Sequence, residues 1–72
     1  MYYELWDTET ANMVECFDNE TAALQMVREM VQEYGPDAVD DWALISGDES
    51  GRRTAIAAGS SLFQRATEQL PA

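Results

Sequence analysis

Gly35-Pro36 lies almost midway along the chain and divides it into two segments that must each build their own secondary structure. A glycine can adopt the left-handed conformation that closes a helix. A proline cannot continue one, because it lacks an amide proton and its ring collides with the preceding turn. Before the break, Leu24, Val27, Met30, Val31 and Tyr34 recur at helical spacing and form one apolar stripe. Asp18 or Asn19 is suited to cap that helix, with Phe17 placed to staple its first turn. Upstream, Tyr2–Asp7 and Asn12–Phe17 have strand character around a turn-like Thr8-Glu9-Thr10-Ala11. The same order recurs after the break. Trp42-Ala43-Leu44-Ile45 and Thr54-Ala55-Ile56-Ala57-Ala58 flank Gly47-Asp48-Glu49-Ser50-Gly51, a strong turn composition. Ser61 and Gln64 have the spacing of a capping box, Leu62, Phe63, Ala66 and Leu70 give a short amphipathic helix, and Pro71 stops it. The predicted fold is α+β, in the order ββαββα. It is a four-stranded, mostly antiparallel sheet with two helices on one face, in a single small acidic domain over 1–72. No recognisable sequence repeat relates the halves.

Size sets the energetic problem. A domain of 72 residues has a core that alone leaves only ~3–5 kcal/mol of stability. Cys16 is the lone cysteine and histidine is absent, so neither a disulfide nor a Cys/His metal site is expected to add to it. Burial against a second copy or another partner is one remaining source. Fourteen acids against four arginines, with no lysine, give a net charge of −10. Such a surface repels phosphate backbones and attracts basic proteins, so direct nucleic-acid binding is not expected. The same acidity would also serve solubility alone, or reflect a salt-loving or GC-rich host. No stretch reads as a signal peptide or a membrane span, and a free thiol suits a reducing compartment; a cytoplasmic location is expected.

The first hairpin poses the functional question. A loop over Thr8–Ala11 pairs Asp7 with Asn12, Trp6 with Met13 and Leu5 with Val14. It continues with Glu4 opposite Glu15, Tyr3 opposite Cys16 and Tyr2 opposite Phe17, since a one-residue slip would set Leu5 against Glu15 and mix the faces. Tyr3, Leu5, Val14 and Cys16 are then core, with Cys16 an inert buried hydrophobe. Tyr2, Glu4, Trp6, Met13, Glu15 and Phe17 make up the other face. Two like charges opposite each other cost up to ~1 kcal/mol, which invites a partner's arginine or lysine between Glu4 and Glu15, its stem against Trp6 or Tyr2. These six are the candidate partner-binding residues. Changing Glu4 and Glu15 to Gln is expected to stabilise the isolated domain.

Catalysis is not expected. Only carboxylates, tyrosines, Cys16 and arginines remain as reactive groups, and adjacent Asp40-Asp41 would point to opposite faces of a strand. Asp48-Glu49 lacks the alternating oxygen ligands of a calcium loop, and no phosphate-binding or nucleophile motif occurs. Arg52-Arg53 is the single basic cluster and is expected to neutralise Asp48 and Glu49 locally. No catalytic residue, metal or cofactor is assigned.

Tyr3-Glu4-Leu5-Trp6-Asp7-Thr8-Glu9-Thr10, then Asn12, Val14 and Phe17, then Ala23-Leu24 and Val27-Arg28, resemble the start of a group of small uncharacterised bacterial proteins beginning Y-E-L-W-D-T-E-T-G-N. The resemblance covers about the first half, and Ala11 stands where those proteins carry glycine. It implies a shared hairpin and helix, and no activity. A fainter similarity is to HicB-type antitoxins, whose fold also runs from a hairpin into a helix opened by an acidic turn and an Ala-Leu pair.

Charge and patterning together lead to the expectation of an acidic protein-interaction module that binds and inhibits a basic partner, of antitoxin, immunity or nucleic-acid-mimic type. The alternative is a self-associating structural domain whose open sheet face is buried in a homodimer.

Overall fold

The computed structural model describes residues 1–69. Its elements are β1 (Tyr2–Asp7), β2 (Asn12–Phe17), α1 (Glu20–Tyr34), a short 3₁₀ helix (Pro36–Val39), β3 (Trp42–Gly47), β4 (Arg53–Ala58) and α2 (Ser60–Gln69). The strands form one sheet in the order β2-β1-β3-β4, every neighbouring pair antiparallel. The fold is therefore α+β, ββαββα. Leu5 and Leu44, partners across the central strand pair, are both fully buried with Ala23, Leu24 and Val27 of α1 and Leu62 and Ala66 of α2. Both helices thus cover the same face of the sheet. Val39, from the 3₁₀ segment, and Trp42 complete the buried cluster.

Local chemistry explains the ends of α1. Asn19 takes an extended backbone at the N-cap, and its Oδ1 accepts a hydrogen bond from the Ala22 amide at 2.8 Å. At the other end Gly35, with φ of 92°, donates its amide to the Val31 carbonyl at 2.8 Å, and Pro36 opens the 3₁₀ turn. The expected apolar stripe needs one correction. Ala23 is buried, whereas Tyr34 is 67 % exposed.

The second helix starts two residues earlier than a Ser61 cap would allow. Gly59, at φ of 56°, turns the chain directly from β4 into α2 and donates its amide to the Trp42 carbonyl at 2.9 Å. Ser61 lies within the first turn, and the Gln64 amide reaches forward to Glu68 at 3.1 Å, so the expected capping box gives way to a pair one turn apart. Leu70 and Pro71, expected to complete and stop this helix, lie outside the described residues. Arg65 Nε donates to Glu20 Oε1 at 2.6 Å and links α2 to α1; that hydrogen bond raises the arginine's pKa further.

The largest departure from the expected pairing is in the first hairpin. Asp7 faces Asn12 and Trp6 faces Met13, as expected, but Val14 is then an extra residue. Leu5 faces Glu15, Glu4 faces Cys16 and Tyr3 faces Phe17. The opposed Glu4–Glu15 pair does not form. Phe17 packs on the core beside Tyr3 and is not on the open face, while Cys16 is exposed and is not a core residue. The physical reason is the three-residue spacing of Val14 and Phe17. Strict alternation would send these apolar side chains to opposite faces, and a one-residue bulge lets both pack against the core.

The second hairpin repeats the device. Leu44 faces Ala57 and Ile45 faces Ala55, leaving Ile56 extra, and Ile56 and Ala57 both pack on the core. Each hairpin therefore carries its bulge on the edge strand, one step past a central leucine. The pairing has the form of two ββα halves related about an axis through the Leu5–Leu44 pair. Bulges on both edges also obstruct edge-to-edge strand addition.

Candidate functional site

The face of the sheet away from the helices carries three rows of side chains. Met13, Trp6, Ala43 and Ala58 form the first, Cys16, Glu4, Ile45 and Ala55 the second, and Tyr2, Gly47 and Arg53 the third. Of the six residues expected on this face, Tyr2, Glu4, Trp6 and Met13 are brought together here. Phe17 lies on the opposite face, and Glu15, opposite Leu5, lies at the helix-side margin of the edge strand.

The expected foreign cation has a counterpart inside the chain. Arg53 projects from β4 across β3, and its guanidinium donates to Glu4 Oε1 in an ion pair. It also lies 5.7 Å from the centre of the Trp6 ring, a cation–π distance. Trp6 Nε1 donates to the same carboxylate oxygen at 3.3 Å. The Glu4 side chain is only 15 % exposed, against 46 % for Arg53. Arg53 thus does not neutralise the nearby turn, as the Arg52-Arg53 pairing had suggested. It satisfies the acid that the sequence left without a partner.

Gly47 leaves room for the neighbouring aromatic. A Cβ built on it would come 2.2 Å from the Tyr2 ring, so a larger residue here would make that ring shift. The result is an uneven surface. Large groups, Tyr2, Trp6 and Met13, rise from the β1–β2 half, while Ala43, Ala55 and Ala58 are the small neighbours of Ile45 on the β3–β4 half, which the Tyr2 ring at Gly47 and the Arg53 side chain partly cover. Met13 is 47 % exposed and Cys16 and Ala55 are exposed as well. Glu4 and Arg53 cancel, so this face is neutral and the whole net charge of −10 falls on the rest of the molecule.

Asp7 and Asp48 have ordinary structural work in the two hairpin loops. Asp7 Oδ1 accepts from the amides of Glu9 and Thr10 at 3.0 and 3.3 Å, ordering the first loop. Thr8 donates its amide and its hydroxyl to the Asp41 carbonyl at 2.7 and 2.8 Å, which places Asp7, Glu9, Asp40 and Asp41 at one end of the sheet. Asp48 Oδ1 accepts from the Ser50 hydroxyl at 2.6 Å and from the Ser50 and Arg52 amides at 3.0 Å. The Ser50 hydroxyl first, then these amides, holds its carboxyl below the ordinary value of 3.8. Among the described residues no group of three or more Cys, Asp or Glu is placed to hold a metal ion, and no helix is long and apolar enough to cross a membrane. A shallow groove between β4 and α2 is lined by Ile56, Ala57, Ser61, Gln64, Arg65, Glu68 and Gln69, of which Gln64 bonds to Glu68 and Arg65 to Glu20.

Sequence reasoning missed Arg53, Ala43, Ile45, Ala55 and Ala58 as members of this face. The signal was present. Once Leu44 is core, period two sends Ala43 and Ile45 outward. A strand that opens at Thr54 stops one residue short of Arg53, where β4 begins.

Fold and face together define a two-layer α+β domain with one layer of helices and an uncovered, neutral sheet surface. Comparison with protein-family models, curated proteins and solved structures finds no match to this chain.

Proposed function

We propose that this protein is a non-catalytic interaction module that works through the open face of its sheet. The observation that carries this reading is a sheet face on which Tyr2, Trp6, Met13, Ala43, Ile45, Ala55 and Ala58 surround one internally paired Glu4–Arg53, in a chain of net charge −10. A solitary exposed apolar residue needs no explanation, whereas a contiguous apolar face marks a contact surface. Water solvates a lone sheet face of this kind poorly, and a small core gains most from covering it. The test uses an apolar fluorescent dye at sub-micromolar protein, where weak self-association is dissociated. Wild type should bind the dye, and Ala55→Glu and Met13→Glu should lose it with unchanged circular dichroism. Absence of dye binding in wild type, or binding that both variants retain, overturns the reading.

A basic protein partner, inhibited by the acidic surface, is the second reading. It is favoured by the end of the sheet where Asp7, Glu9, Asp40 and Asp41 come together, because the Glu4 carboxylate already has its cation. An arginine-rich peptide should then bind in low salt, release in high salt and ignore Ala55→Glu. Binding that survives high salt, or that Ala55→Glu removes, counts against it.

A further inference from the structure

We draw no further inference here: the strongest candidate, the open face of the sheet around Trp6, Met13, Ile45 and Ala55, is an unpartnered surface, and nothing in the structure shows what covers it.

Discussion

On the helix-covered face Leu5 and Leu44 meet with no exposed surface, while one residue along each strand Glu4, Trp6, Ala43 and Ile45 stay half open to water. The two faces belong to the same strands and share one set of backbone hydrogen bonds. They differ in what covers them. The covered face is stabilised by apolar burial from two helices, and the open face by one arginine laid across a tryptophan and a glutamate. A chain this short has enough helix to close one side of its sheet. The other side keeps only as much polarity as a single ion pair provides.

Leucine truncation separates the faces most sharply. Leu44→Ala should cost about 2–5 kcal/mol, comparable to the whole stability of a domain this size, and leave it largely unfolded by circular dichroism. Ile45→Ala, the next residue on the opposite face, should cost well under half as much. Equal losses would mean that the open face is already covered in solution.

A smaller effect of opposite sign is expected at Ala11, which holds φ of 57° in the hairpin that feeds both faces. Ala11→Gly removes the clash of an L side chain in that region and should raise stability by about 1 kcal/mol in urea titration. A loss instead would show that the loop relaxes once freed from Ala11.

Glu4→Gln tests whether the open face is internally paired. The opposed-acid pairing would make this change stabilising, whereas the Arg53 ion pair makes it destabilising by at most about 1 kcal/mol, since the arginine is largely solvated. In an Arg53→Ala background the same change should cost nothing, as a double-mutant cycle would register. Glu15→Gln should be near neutral in either background.

The least effect is at the second loop. Asp48 has its carboxyl pKa lowered by the Ser50 hydroxyl, so its contribution is fully present above its ordinary value of 3.8 and is lost as pH falls through the lowered folded value. Asp48→Asn should flatten that part of the acid stability profile and leave the neutral range unshaped. A profile identical to wild type in acid would remove Asp48 from the account.

Much of the fold is legible in local chemistry. The Asn19 cap, the Gly35-Pro36 stop and the loop between Asp7 and Asn12 depend on residues within a few positions of each other, and the structure forms each of them. Leu5 could be placed in the core for the same reason, by alternation along a single strand. The site was half legible. Tyr2, Glu4, Trp6 and Met13 follow from alternation in the stretch before the bulge or on the central strand, whereas Cys16 and Phe17 lie beyond it.

By itself the sequence determined the order of elements, the Asn19 cap and Gly35-Pro36 stop of α1, the two turns, and the inward setting of Leu5 on its strand. Each of these is settled within one turn or one strand. Only the tertiary structure decided the rest. An edge strand is paired on one side, so its bulge is set by whether the helices offer a place for both Val14 and Phe17, or for both Ile56 and Ala57. The fate of Glu4 depended on Arg53, 49 residues away, whose reach across β3 exists only once the two hairpins lie side by side. Alternation is a property of a single strand, but a face belongs to the whole sheet.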